Sequence, residues 1–216
     1  MAITLDGTNG ITTPDLESSG PVIGTTGTFS GNVSGVAGTF SGAVQASGVA
    51  TNLYPLVSGT AVTCSGQTSI DFTGIPSWVN RITVMFSGVS TSGTSLFLVQ
   101  LGDAGGFEIT GYASQANSIT TTPAVTATTN TAGFVLGASA LVAASTYSGT
   151  TSIVKLNGNS WVYSSLIIRD GTASSNFGAG SKTLSDTLTQ VRITTVNGTD
   201  TFDTTPSAGT INIMYE

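Results

Sequence analysis

Between Glu17 and Asp71 the chain carries no acidic or basic residue, and a second such stretch runs from Ile109 to Val154. No other feature limits the fold as strongly. Disordered segments stay open through high net charge and low hydrophobicity, and these stretches lack the charge. They also lack the apolar content to build a core alone. Two outcomes fit them: packing against something else, sister copies included, or a flexible Gly/Ser/Thr linker. The wider composition agrees. Thr, Ser and Gly make up 94 of the 216 residues, and 7% are charged, against roughly 25% in an average soluble domain. The length allows one ordinary domain plus an appendage.

Composition also removes whole classes of chemistry. The chain has no His and a single Cys, Cys64. That excludes Ser-His-Asp and Cys-His catalysis, His-bearing metal sites and intramolecular disulfides. Five basic residues at a net charge of -6 argue against binding a phosphate backbone. Gly102-Asp103-Ala104-Gly105-Gly106 does not fit a dinucleotide fingerprint, and no phosphate loop is visible. The expectation is a chain with no cofactor, no metal and no enzymatic activity. Met1 to Asp6 lacks a basic, then apolar, signal-peptide pattern. The most apolar stretch, Gly133 to Ala144, is far short of the roughly 20 residues of a membrane helix and reads instead as a buried strand or strand pair. Synthesis in a cytoplasm without membrane insertion is expected.

Three segments follow from punctuation and periodicity. Residues 1–21 begin with a short apolar set (Ile3, Leu5, Ile11), turn at Thr8-Asn9-Gly10 and break at Pro14 and Pro21. Residues 22–56 hold a repeat: Gly27-Thr28-Phe29-Ser30-Gly31-Asn32-Val33 returns eleven residues later as Gly38-Thr39-Phe40-Ser41-Gly42-Ala43-Val44. In an extended strand Phe29 and Val33 share a face, as do Phe40 and Val44. One unit is too small to bury its own Phe, so neighbouring units or other subunits must cover it. Two chance matches within a linker are the alternative. Residues 57–216 contain many short Thr/Val/Ile-rich stretches suited to strands. They are expected at Ala61–Ser65, Thr68–Phe72, Arg81–Gly88, Leu96–Leu101, Phe107–Ser114, Phe134–Leu141, Ser152–Leu156, Trp161–Arg169, Gln190–Val196 and Thr210–Tyr215. Alternation at Ile82, Val84 and Phe86, at Val191 and Ile193, and at Ile211, Ile213 and Tyr215 marks antiparallel strands with one buried face. Asn157-Gly158 and Asn197-Gly198 read as hairpin turns. About ten strands at this spacing predict an all-β, jelly-roll-like antiparallel sandwich.

Candidate chemical groups are few. A glycosidase needs two carboxylates facing one substrate, and the available ones are Asp103, Glu108, Asp170, Asp186, Asp200 and Asp203. Asp103 and Asp170 sit in Gly-bearing turns, where Asp bonds its own backbone. Asp200-Thr201-Phe202-Asp203 lacks the acidic spacing of a calcium loop. Cys64, inside an expected strand, reads as a small buried hydrophobe. Trp78 and Trp161 are either sugar- or interface-binding aromatics or core residues beside apolar neighbours. Arg81, Arg169 and Arg192 flank apolar strands, placed to pair with Asp at sheet ends or subunit seams.

The opening Met1-Ala2-Ile3-Thr4-Leu5-Asp6-Gly7-Thr8-Asn9-Gly10-Ile11-Thr12 resembles that of bacteriophage tail-fibre and related virion proteins. The Gly-Thr-Phe-Ser-Gly-x-Val repeats look like their fibrous shafts. Asp71 to Val84, Val196 to Asp203 and Gly209 to Ile213 are similar to distal fibre domains. The resemblance implies a homotrimer with three parts: residues 1–21 docking on phage tail or capsid, an intertwined β shaft at 22–56, and a sandwich knob at 57–216 meeting a host glycan or protein. Ile3, Leu5 and Ile11 are then the docking residues, and Phe29, Val33, Phe40 and Val44 the trimer packing. The host-contact residues are not indicated. The alternative is a structural virion part without a host ligand: a head fibre, capsid decoration or tail adaptor.

Overall fold

Alternation in the sequence becomes alternation in burial. The structure, a computed structural model, describes residues 55–120, 124–143, 145–206 and 208–216. The expected trimer-packing residues (Phe29, Val33, Phe40, Val44) and docking residues (Ile3, Leu5, Ile11) lie outside the described residues. No helix occurs among those described. The chain runs through β1 (Val57–Ser58), β2 (Val62–Thr63), β3 (Ile70–Thr73), β4 (Arg81–Val89), β5 (Phe97–Asp103), β6 (Gly106–Phe107) and β7 (Ala113–Ile119). It continues through β8 (Val125–Asn130), β9 (Phe134–Val135), β10 (Tyr147–Asn157), β11 (Ser160–Arg169), β12 (Ser175–Thr183), β13 (Gln190–Thr195) and β14 (Thr210–Tyr215).

These form two antiparallel sheets. The larger has the order β1-β14-β4-β10-β11-β12-β7-β8, with β2 also on β14. The smaller has the order β3-β13-β5-β6, with β9 also on β5. In β4, Ile82, Val84 and Phe86 are buried and Arg81 and Ser87 exposed. In β11, Trp161, Tyr163 and Ile167 are buried, while Val162, Leu166 and Ile168 face solvent. Each inward face meets the other sheet in one core that includes Ile82, Val84, Phe97, Val99, Leu101, Val191, Ile193, Ile211 and Ile213. Phe97 lies at its centre, with Phe86, Tyr147 and Phe202 at ring-centroid distances of 5.8, 5.7 and 6.3 Å. Burying each such side chain contributes about 1.5–3 kcal/mol.

Several expectations are corrected. Phe107–Ser114 is two strands, not one: β6 ends at Phe107, and β7 begins only at Ala113, after a turn at Gly111 with φ 76°. Phe134–Leu141 keeps only β9: the Leu136 amide still bonds the Phe97 carbonyl at the start of β5, but the Leu141 amide bonds the Thr94 carbonyl, outside that strand. Ala61–Ser65 shrinks to β2, since the edge strand is broken after Ser58 and resumes at Val62 along the same partner, β14. Asn197-Gly198 is a turn, but not a hairpin. β13 pairs with β3 and β5, and the chain crosses to the other sheet before β14. Asn157-Gly158 does join the antiparallel pair β10 and β11. Strands β1, β8 and β12 are absent from the sequence reading.

Candidate ligand groove and polar clusters

The outer face of the smaller sheet holds a groove of about 320 Å³ whose lining includes Leu98, Gln100, Ile109, Arg192, Thr194 and Asn197. Strand register builds it. Arg192 on β13 stands opposite Asp71 on β3 and Gln100 on β5. Arg192 donates from Nε and Nη2 to the two carboxylate oxygens of Asp71, at 2.8 and 2.7 Å. Its guanidinium lies 4.1 Å from the Phe107 ring centroid. The hydrogen bond and the charge of Asp71 raise the already high Arg192 pKa. About a third of each of these two side chains stays exposed, so the pair offers donors and acceptors to a ligand while its net charge is neutralised. Gln100 Nε2 is fixed on the Ala132 carbonyl at 3.0 Å. Thr194 Oγ1 donates to the Thr68 carbonyl at 2.9 Å. Ile109 adds an exposed apolar rim. Of the arginines expected to pair with Asp at sheet ends or subunit seams, Arg192 pairs with Asp71 on the edge strand β3, and no sequence signal marked Asp71 as its partner. Arg81 pairs with the carboxylate of Glu216 at a corner of the larger sheet.

Two of the six candidate carboxylates come together. Ser185 Oγ lies 2.7 Å from Asp103 Oδ2 and 2.8 Å from Glu108 Oε1 and shares its one hydroxyl hydrogen between them. The other oxygen of Glu108 forms an ion pair with Lys182, whose side chain is 5% exposed. Lys182 also donates to the Thr110 carbonyl at 2.9 Å and lies 5.2 Å from the Tyr112 ring centroid. The Ser185 hydroxyl, and then the Gly105 N–H, hold Asp103 below its ordinary range. Burial pushes Glu108 up, but hydrogen bonds from Lys182 and Ser185 outweigh it and hold this carboxyl low as well. Through Ser185 and Lys182 the two carboxylates tie the end of β5 and the segment after β6 to β12 and the loop after it.

Asp103 Oδ1 also accepts from the Gly105 N–H at 2.8 Å, as its turn position suggests, and the remaining carboxylates are tied into turns and loops. Asp170 differs: its carboxylate accepts from Ser148 Oγ at 2.9 Å rather than capping its own turn. Asp186 accepts from the next residue's N–H at 2.6 Å. Asp200 accepts from the Ser95 N–H at 2.9 Å and Asn197 Nδ2 at 2.7 Å, and Asp203 from Ser90 Oγ at 2.6 Å. Among the described residues no three His, Cys, Asp or Glu side chains gather as a metal site. Cys64 is buried, and burial pushes its thiol up to about 11. Trp161 is a core residue, 2% exposed. Trp78 packs partly buried against the core, 5.9 Å from Tyr215.

A second surface stands out on the larger sheet. Strands β10, β11, β12, β7 and β8 are consecutive neighbours. Their outward positions carry Val154, Val162, Leu166, Ile168, Phe177, Ile119 and Val125, all exposed, among Ser, Thr, Ala, Asn and Gln. None of these outward positions carries a charge. No protein-family model, curated protein or solved structure matches the chain.

Proposed function

We propose that this chain is a bacteriophage virion fibre protein that attaches to the particle through its N-terminal segment and engages a host surface through its sandwich domain. In this reading the protein is a homotrimer. Residues 1–21 dock on tail or capsid through Ile3, Leu5 and Ile11, residues 22–56 form the shaft packed by Phe29, Val33, Phe40 and Val44, and residues 57–216 form a jelly-roll-like knob. The protein acts by binding rather than by catalysis.

The groove around Arg192, Asp71 and Gln100 carries the host-contact part of this reading. It presents the Arg192–Asp71 pair and the apolar rim at Ile109 to solvent, over a floor of buried, internally bonded Gln100 and Thr194, while the carboxylates elsewhere are engaged in braces and turns. Fixed polar groups beside apolar surface suit recognition of a hydroxyl-rich or amide-bearing surface. Display on three chains would multiply weak contacts by avidity. The alternative, a structural virion part, draws its support from the uncharged face of the larger sheet, which suits protein packing better than reversible contact.

The experiment is binding of fluorescently labelled chain to phage-susceptible cells, with an Arg192→Ala chain beside it. The expected result is labelling that competes with infection and weakens in the variant. Labelling of particles that lack the protein, with none of cells, would replace the receptor-binding reading with the structural one.

A further inference from the structure

We infer that the outer face of the larger sheet, centred on Leu166 and Phe177, is a seam that seats against another copy of this chain. Leu166 on β11 and Phe177 on β12 are directly opposed in register, and both point to solvent, 55% and 38% exposed. Ile168 lies two residues along β11 from Leu166. Phe177 faces Asn117 across β12 and β7, and two residues along β7 Ile119 stands opposite Val125 at the sheet edge. Exposed apolar side chains gathered on one face mark an interaction surface.

Charge argues for a like copy as the occupant. The cores of protein interfaces are depleted of charge and enriched in aromatic side chains. The chain is acidic overall, net -6, so copies repel one another wherever their charges approach. The face spanned by β10, β11, β12, β7 and β8 has no charge to desolvate or to repel its twin. Arg81 on β4, opposite Val154, is neutralised by Glu216 at the sheet corner. Size fits too. Five strands about 4.8 Å apart and about seven residues long at 3.3 Å each cover roughly 600 Å² in projection. A stable interface buries about 800 Å² of accessible surface per partner, and pleated side chains expose more area than their projection. Gln115, Asn117 and Ser164 among the apolar residues supply uncharged groups that can hydrogen-bond across a contact between copies around one axis.

This inference rests on the oligomeric reading of the previous section, and its test separates the two. Full-length chain at micromolar concentration is examined by sedimentation velocity and by hydroxyl-radical footprinting. The expected result is an oligomer in which Leu166 and Phe177 oxidise several-fold more slowly than Ile109, an exposed residue between β6 and β7. A Leu166→Glu/Phe177→Glu chain, altered only at exposed positions, should show a reduced stoichiometry or expose Ile168 and Ile119 to oxidation. An oligomer whose Leu166 and Phe177 oxidise as fast as Ile109 overturns the seam and leaves the oligomer standing. A monomeric chain overturns both. Protection of the face in a monomer overturns the second copy as occupant and assigns the face to another part of the chain.

Discussion

Glu108 and Lys182 form an ion pair beneath the turn between β6 and β7, with the lysine almost wholly enclosed and the carboxylate about one-fifth exposed. The pair is fastened on both sides, by Ser185 on the glutamate and by the Thr110 carbonyl on the lysine. Breaking one partner of such a buried pair leaves an uncompensated charge and costs about 3 kcal/mol. Lys182→Met is therefore expected to lower the urea midpoint sharply, measured against wild type at pH 7.

The same cluster predicts the acid limb of stability. Asp103 and Glu108 both titrate below their ordinary values in the folded chain. A depressed folded pKa stabilises above the unfolded value, and that contribution drains away as the pH falls through the folded one. Unfolded carboxylates titrate near pH 4, so the loss is expected below about pH 4. The chain has no His, and no side chain with an ordinary value near neutrality follows it up the scale. Chemical denaturation across pH 2.5 to 7 should show a plateau above about pH 5 and a fall below about pH 4. Glu108→Gln should flatten the fall. An equal slope in both chains would remove Glu108 from the account.

Cys64 is predicted to be silent while the protein is folded. Its thiol is enclosed, its pKa is about 11, and the thiolate is the reactive form. Iodoacetamide at pH 8 should add nothing to native protein and one carbamidomethyl group in urea, read by intact mass.

Gly149 is the most demanding position in β10. It sits at the register shift of the β4–β10 ladder with φ 150°, and a Cβ there would lie 2.1 Å from the Leu166 carbonyl oxygen. That obstacle is backbone and cannot swing aside. Gly149→Ala is expected to destabilise by about 2–3 kcal/mol, as other forced overpacking does. Gly158→Ala, at a turn with φ 48° but open space around it, should cost less. Thermal denaturation of the two variants gives the ranking.

Thr151 and Ser165 face each other across β10 and β11 on the inward side. Both hydroxyls are buried without a hydrogen-bond partner. An unsatisfied buried hydroxyl is destabilising, and valine has nearly the shape of threonine. Thr151→Val is predicted to stabilise by about 1 kcal/mol, visible as a raised urea midpoint with an unchanged slope. A lowered midpoint would show that the hydroxyl is satisfied in solution.

The all-β, two-sheet character was legible because it rests on local physics. Period-two alternation at Ile82, Val84 and Phe86, or at Ile211 and Ile213, assigns each side chain a face before any tertiary contact exists. Asp103 likewise declared its turn, because an Asp side chain bonding the N–H two residues on needs only neighbouring backbone. Strand β12 was invisible for the opposite reason. Its inward positions include Gly178 and Gly180 rather than apolar residues, because Tyr163 of β11 reaches over them. A Cβ on either glycine would meet that ring or its hydroxyl at 2.5–3.0 Å. One strand supplies the bulk for its neighbour, and no local pattern records the loan.

Local sequence was enough to say which residues could be strands, which face of each was apolar, and which chemistry the missing His excluded. Tertiary structure decided everything that depends on residues far apart in the chain. It placed Arg192 on Asp71, joined Asp103 and Glu108 through Ser185, and aligned the outward side chains of five strands into one uncharged face. The reason is physical. Burial alternation is set within a few residues of chain, whereas hydrogen-bond partners across sheets depend on strand order and register, which only the packed core selects.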